Sequence, residues 1–518
     1  MAKTRQAWGT RIGIIMAVAG SAIGLGNFLR FPVQAASNGG GAFMIPYFVS
    51  LFLLGIPLMW IEWTLGRFGG GFGHGTAPGI FHTMWEKNRF IKYFGVIGIF
   101  GPLVILIYYT YIESWTLAYG WFAITGKYAS ATTQSSMKSF LSGFQGLEKN
   151  SFFSSLAPAY TFFLITFLAN MAVIYYGIKG GIEKLCRIAM PLLFICGVIV
   201  MVRVLTLGAP DPAKPSWNIV NGFGFLWNPD FSALKSAKVW LAAAGQIFFT
   251  LSVGIGVILT YASYLSKGDD VVLSGLSAVG TNEFAEVIIG GSIIIPAAFI
   301  FFGPAGTEAI ARSGAFNLSF VTMPLIFGKV MNGAFFGCVW FSLLFLAGIT
   351  SAVSLAQPAV AFLEDEFNIS RRRAVSILGT ALFIFCQPAI FLIGKGVVNE
   401  LDFWGGTFCL VLFATVETIL FAWVFGMERA WKEIHHGADM KIPRVYKFII
   451  KYVTPLFLIV ILISWAYQEW WPMILMKNVP APDRPFVLAT RFALIALFIV
   501  LAVLVKVAWM KKRRQAKT

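Results

Sequence analysis

The chain has 518 residues, 58% of them hydrophobic and only 12% charged, where soluble domains carry about 25% charged side chains. That balance excludes a soluble globular enzyme. The net charge of +17 does not signal nucleic acid, because basic residues of a polytopic membrane protein collect in the loops that stay inside.

About twelve apolar segments of roughly 20 residues or more follow one another, centred near Val18, Leu54, Ile107, Phe167, Leu193, Thr250, Ile288, Leu344, Leu382, Leu412, Ile459 and Ile495. The N-terminus runs through Lys3, Arg5 and Arg11 into the first of them without a small-residue cleavage site, so this segment reads as a retained span. Connections after even-numbered spans hold Arg67, Lys87 and Arg89, then Lys179 and Lys184, then Lys267, then Arg371 to Arg373, then Arg429 and Lys432, and the last span ends in Lys511 to Arg514. The positive-inside rule puts these loops and both termini in the cytoplasm of a multi-pass protein of the cell (inner) membrane. The opposite connections, about 125–158, 208–237 and 303–332, are long enough to act as lids. Five cysteines, Cys186, Cys196, Cys338, Cys386 and Cys409, lie in apolar surroundings without paired spacing, so neither a disulfide framework nor a zinc site is signalled.

Two spans are interrupted. The first carries Gly20-Ser21-Ala22-Ile23-Gly24-Leu25-Gly26-Asn27 at its centre, and each glycine costs a helix about 1 kcal/mol against alanine. A break at bilayer depth must bury its freed carbonyls in protein or turn them into a cavity, where they serve a hard cation as oxygen ligands, with the Asn27 amide beside them. Close packing of small residues explains this stretch equally well when it is taken alone. The sixth span repeats the pattern in Gly245-Gln246-Ile247-Phe248-Phe249-Thr250-Leu251-Ser252-Val253-Gly254-Ile255-Gly256. Corresponding breaks in spans one and six are what two inverted five-span repeats give, and they point to a transporter site. Half-helix amino ends favour an anionic group and freed carbonyls favour a cation, which predicts a site for a zwitterion plus a cation. The expected fold is an all-α integral membrane protein. A single transporter domain covers residues 1–518, with repeats at 11–207 and 238–424, the first and sixth helices unwound at the midplane, and two further helices at 445–511.

The strings Ala22 to Pro32, Asn38 to Phe43, Pro57 to Trp63 and Gly245 to Ser252 resemble the neurotransmitter:sodium symporter family, most closely its bacterial leucine-transporter branch, and the resemblance runs over nearly the whole chain. It implies one sodium site at Ala22, Asn27, Thr250 and Asn282, completed by the substrate carboxylate. It implies a second at Gly20, Ile23, Ala347, Thr350 and Ser351, although on spacing alone the adjacent hydroxyls of Thr350 and Ser351 could simply bond their own helix. The substrate pocket matches at Ala22, Leu25, Gly26, Ile105, Tyr109, Phe249, Thr250, Ser252, Ile255, Ser351 and Leu355. Tyr109, not Tyr108, takes the carboxylate-binding position. Gly24 stands where monoamine-carrying relatives have an aspartate, so the substrate brings its own carboxylate and an amino acid is favoured. Ile255, Leu355 and Ile105 depart from the leucine-transporter branch while staying apolar, which keeps an apolar side chain preferred and leaves its size open.

Four acids within spans, Glu62, Glu113, Glu286 and Glu417, are costly in a bilayer and therefore functional candidates. Glu286 matches the carboxylate of chloride-independent members, which implies that chloride is dispensable and allows proton antiport; a structural glutamate held by hydroxyls is the alternative. Glu62 is expected to brace the unwound part of the sixth span, and Glu113 and Glu417 are read as structural. The resemblance also implies an outer gate of Arg30 and Asp402 over Tyr109 and Phe249, and an inner gate of Arg5 and Asp365 with Trp8 and Tyr264 nearby. The four histidines, His74, His82, His435 and His436, fall in loops and no catalytic cluster sits at mid-span, so no enzyme is expected. The expected activity is sodium-coupled symport of a neutral, apolar, leucine-like L-amino acid by alternating access, with two sodium ions, membrane lipid as surroundings, no nucleic-acid partner and homodimerisation left open. A channel or a sodium-dependent amino-acid sensor are the competing readings.

Overall fold

The computed structural model describes residues 6–515, and among these there is no β-strand beyond an isolated bridge between Gly40 and Pro229. Lipid cannot satisfy free backbone groups, so the apolar segments form helices that bond internally. Among the described residues, ten continuous helices are long and apolar enough to span a bilayer: Gly41–Gly70, Ile91–Thr125, Ala157–Tyr175, Ile178–Leu205, Val272–Arg312, Gly333–Phe367, Arg371–Phe391, Val397–Val424, Val445–Gln468 and Ala481–Lys512. The first span is the pair Arg11–Ala22 and Leu25–Ser37, bent by 49°. The sixth is Ala237–Leu251 followed by Val257–Ala262, each too short to cross alone. Each of the twelve centres expected from the sequence lies in one of these spans.

The third span is the most enclosed, with 89% of its most apolar stretch buried against 28% for the eleventh and the twelfth. The third and eighth spans pack together at the centre while the last two lie at the lipid-facing rim.

Both breaks are where the glycine pattern put them. Ile23 leaves helical geometry and Gly24 is extended, and the Asn27 side-chain oxygen accepts from Gly24 N at 2.9 Å to start the second half-helix. In the sixth span Ser252, Gly254 and Gly256 have left-handed backbone. Gly254 and Gly256 are required there twice over, since a Cβ at either would also lie 2.7 Å from a backbone carbonyl, that of Leu410 or Gly98. The Glu62 carboxylate closes the break by accepting from Gly254 N and Leu259 N, as expected from its place in the sequence.

The long connections are ordered by helices. Gln134–Phe144 buries Phe140 and Phe144 against Tyr119 and Phe122. Ile219–Trp227 occupies the second connection. The third is shorter than its composition implied, because the seventh span continues to Arg312 after bending at Gly303, which has φ 66°.

Candidate functional site

The two breaks meet the seventh span in a buried cluster of oxygens and amides. Asn27 Nδ2 donates to Thr250 Oγ1 at 2.9 Å and to Asn282 Oδ1 at 2.8 Å, and Asn282 Nδ2 lies 3.0 Å from Thr250 Oγ1. Thr250 in turn donates to the Glu286 carboxylate, which also accepts from Gln246 Nε2. The Tyr47 hydroxyl lies 3.2 Å from Glu286 and 2.8 Å from Glu283. The Glu286 carboxylate thus bonds the Thr250 hydroxyl, which in turn meets the side-chain amides of Asn27 and Asn282. Tyr47, Gln246 and Glu283 escaped the sequence reading of this cluster; Glu283, one residue after Asn282 in an apolar span, carried the signal for an intramembrane acid.

A second group of oxygens joins the first span to the eighth. Ser351 Oγ lies 3.4 Å from the Gly20 carbonyl and 3.2 Å from that of Ser21, while Thr350 Oγ1 bonds the Leu346 and Ala347 carbonyls at 3.0 and 3.2 Å. The Thr350 hydroxyl does bond its own helix, but that of Ser351 reaches across to the broken one. Ile23, whose amide bonds the Ala19 carbonyl at 2.7 Å, marks the end of the first half-helix beside them.

Between these groups lies a small cavity of about 60 Å³, lined by Ala22, Leu25, Gly26, Ile105, Tyr109, Phe249, Ser252, Ile255, Ser351 and Leu355. Thr250 alone of the expected pocket residues is absent from this lining, because its side chain turns to Asn27 and Glu286 instead. Ser21, Ser354, Gly406 and Leu410 also face the cavity. The pair Gly405-Gly406, at mid-span in the tenth helix, was the available sequence signal for the tenth span's part. A Cβ at Gly24 would lie 3.1 Å from Ser351 Oγ and 3.3 Å from the Tyr109 hydroxyl, so position 24 looks into the polar end of the cavity. The Tyr109 hydroxyl also accepts from Leu25 N at 3.5 Å.

Leu25, Gly26, Tyr109 and Phe249 form the septum between this cavity and a vestibule of about 380 Å³. Arg30 and Asp402 both line the vestibule, each engaged with a different neighbour. The Arg30 guanidinium stacks 4.7 Å above the Phe249 ring, and Asp402 accepts from the Tyr108 hydroxyl at 2.6 Å. Each charge has its own partner here, so the two members of the expected outer gate stand apart in this arrangement. Of the two neighbouring tyrosines only Tyr109 lines the cavity, while both line the vestibule.

At the opposite end of the bundle, Arg5 lies outside the described residues, and with it the expected Arg5–Asp365 pair. Trp8 Nε1 donates to the Tyr261 carbonyl at 2.9 Å, and its ring meets the Tyr261 ring edge-on at 5.2 Å. The Tyr264 hydroxyl accepts from Gln357 Nε2 at 2.8 Å. Arg11, read from the sequence only as a topology signal, bridges Asp270 at 2.8 Å and Asp439 at 2.5 Å. Hydrogen bonding to Arg11 holds the Asp439 carboxyl below its ordinary value. Partners so distant in the chain leave no spacing to read.

Comparison with known proteins agrees with this geometry. The family model described as the sodium:neurotransmitter symporter family matches residues 5–140 and 127–512. An uncharacterised sodium-dependent transporter of Methanocaldococcus jannaschii is 31% identical over 461 residues, covering 88% of this chain and 89% of that protein. The sodium-dependent serotonin transporter of Drosophila melanogaster is 23% identical over 524 residues, covering 90% of this chain and 80% of that one. Among solved structures, the crystal structure of MhsT in complex with L-phenylalanine superposes with a TM-score of 0.75 at 30% identity, covering 89% of this chain and 99% of that one. The chain is a multi-pass, sodium-dependent transporter rather than an enzyme, and it belongs to the sodium:neurotransmitter symporter family.

Proposed function

We propose that this transporter carries neutral, apolar L-amino acids together with two sodium ions, without chloride and with a proton returning on Glu286. The observation that carries the reading is the contact of Asn27, Thr250 and Asn282 beside a cavity whose polar end is formed by Gly24, Tyr109 and Ser351. One sodium binds the oxygens of Ala22, Asn27, Thr250 and Asn282 and the substrate carboxylate, so ion and substrate complete each other's coordination. The other binds the carbonyls of Gly20, Ile23 and Ala347 and the hydroxyls of Thr350 and Ser351. The substrate carboxylate meets the Tyr109 hydroxyl and the amino end of the second half-helix. Its side chain lies against Ile105, Ile255 and Leu355. The binding of L-phenylalanine by MhsT supports an apolar amino acid.

The cavity is smaller than the roughly 300–1,000 Å³ of ordinary ligand clefts, so it must enlarge to take substrate, which lifting Phe249 toward the vestibule provides. Glu286 holds the place a chloride would take and offers its negative charge to the first sodium through Thr250. Each sodium moving inward gains about 2.3 kcal/mol per 100 mV, which drives accumulation of a neutral solute. Both termini face the cytoplasm of the cell membrane, the vestibule faces outward, and the repeats 11–207 and 238–424 supply the inverted symmetry for alternating access.

Binding of a panel of L-amino acids to purified protein, in sodium against potassium, tests the reading. Sodium-dependent binding of apolar amino acids, lost in Asn27→Ala and Thr250→Ala, is the expected result. Equal binding in potassium, or none for any amino acid, overturns it.

A further inference from the structure

Behind the tenth span lies a third cavity, unconnected with the transport path. Its volume is about 410 Å³, and it is walled by Phe100 of the third span, Trp404, Phe408 and Leu412 of the tenth, and Leu494 and Phe498 of the twelfth. Such a volume is within the usual range of ligand sites, about 300–1,000 Å³. Its walls are hydrocarbon and aromatic ring.

The polar rim is closed to any ligand. Arg491 Nε and Nη2 bond the buried Glu400 carboxylate at 2.8 and 2.9 Å, and Nη1 and Nη2 bond the carbonyls of Ile474 and Met473 at 2.8 and 2.6 Å. Trp404 Nε1 donates to the same Glu400 at 2.8 Å. With every nitrogen engaged and the charge neutralised, the rim offers nothing to a phosphate or a carboxylate. What fits a neutral apolar groove is a neutral apolar chain.

Depth identifies its source. From Arg491 to Lys511 the twelfth span rises about 30 Å at about 1.5 Å per residue, which matches the hydrocarbon thickness of about 30 Å. Arg491 and Glu400 therefore mark one edge of the hydrocarbon, on the vestibule side, and Leu494 and Phe498 lie below them at acyl-chain depth. The groove opens sideways between spans, where Ile495 is 57% exposed at its lip. We propose that it holds one acyl chain of a bilayer lipid from the vestibule-side leaflet, irrespective of headgroup.

The site is placed to matter for transport. The turn Asp402–Phe408 of the tenth span is a π-helix, whose extra residue per turn sends side chains in three directions. Asp402 faces the vestibule, Gly406 faces the central cavity, and Trp404 and Phe408 face the groove. A chain in the groove props this turn from behind and favours the arrangement in which Asp402 meets Tyr108.

The test places the full-length protein in phosphatidylcholine nanodiscs containing a phosphatidylcholine with a diazirine at mid-chain, photolyses it and maps the adducts by mass spectrometry. Adducts on Leu494, only 7% exposed, are expected to exceed several-fold those on Leu456 and Ile463, which are 63% and 64% exposed on the eleventh span. A diazirine phosphatidylglycerol is expected to label equally. Ile495→Trp, at an exposed lip and so compatible with folding, should lower the Leu494 adducts to the eleventh-span level and leave the eleventh-span adducts unchanged. Leu494 labelling no higher than on the eleventh span, labelling restricted to the anionic lipid, or labelling indifferent to Ile495→Trp overturns the proposal.

Discussion

The Thr250 hydroxyl, on the sixth span, donates to the Glu286 carboxylate on the seventh, and in the same cluster Asn27 donates to Thr250. An acid therefore stands beside the proposed first sodium site and offers it negative charge whenever it is ionised. Replacing Glu286 by Ser keeps a hydroxyl but removes that charge. Losing a charge a few ångströms from a cation, at an effective dielectric of about 20, weakens sodium affinity by about tenfold or more, or upward of about 1.4 kcal/mol. Sodium-dependent substrate binding by Glu286→Ser is expected to fall in chloride-free buffer and to recover when chloride is added. Unchanged binding in gluconate buffer would remove Glu286 from the ion site.

Phe249 is the movable part of the septum. Its ring rests on Gly26, where a Cβ would come within 2.7 Å, and carries Arg30 at 4.7 Å on the vestibule side. A cation over an aromatic face contributes about 0.5–2 kcal/mol. Arg30→Ala is therefore expected to speed dissociation of bound radiolabelled substrate by about two- to thirtyfold, as those energies convert. Phe249→Ala, which joins the cavity to the vestibule, should do so at least as strongly. A dissociation rate equal to that of the parent in both variants would show that the lid lies elsewhere.

What the sequence disclosed follows from how local each feature is. The breaks at Gly24 and at Ser252 to Gly256 are written in runs of poor helix formers, so they were legible residue by residue. The runs told only that broken spans must face a cavity; the lining from other spans, Ile105, Tyr109, Ser351 and Leu355, came from the family resemblance and not from any pattern in the runs. The partners of Arg30 and Asp402 were not legible. Both charges were visible, but which neighbour each takes depends on how far the vestibule stands open. Glu283, the groove behind Trp404 and the bridge from Arg11 to Asp439 depend on packing between distant spans, and no periodicity records that.

Glu62 stabilises the sixth-span break by accepting from two buried amides, Gly254 N and Leu259 N. Removing it leaves both donors unsatisfied, and each hydrogen bond to a charged group contributes about 1.5–3 kcal/mol. Glu62→Ala is expected to lower stability by about 3–5 kcal/mol, visible as a large drop in the unfolding midpoint of detergent-solubilised protein. Glu62→Gln turns an amide donor toward one of the two backbone donors, so it should fall between Ala and the parent. Equal midpoints for all three proteins would mean that the break is held by packing alone.

The bridge at the opposite end gives a prediction whose sign is fixed by charge. Arg11 binds Asp270, which is buried, and Asp439, which is exposed, and so joins the first span to the connections that follow the sixth and the tenth. The Asp439 carboxyl is held below its ordinary value by the Arg11 hydrogen bond. A depressed carboxylate contributes stability above its unfolded value, about 3.9, and loses it as pH falls through the lower folded value. From pH 8 to pH 5 the bridge should therefore be constant, and it should weaken only in stronger acid. Hydrogen exchange of the peptide over residues 437–444 reads this directly. Asp439→Asn and Arg11→Ala are both expected to raise exchange there at neutral pH. High salt should reproduce part of the rise, because the Asp439 side of the pair is exposed to screening. If instead exchange over 437–444 rises between pH 8 and pH 6 in the parent protein, a group other than Asp439 governs the closure of this end.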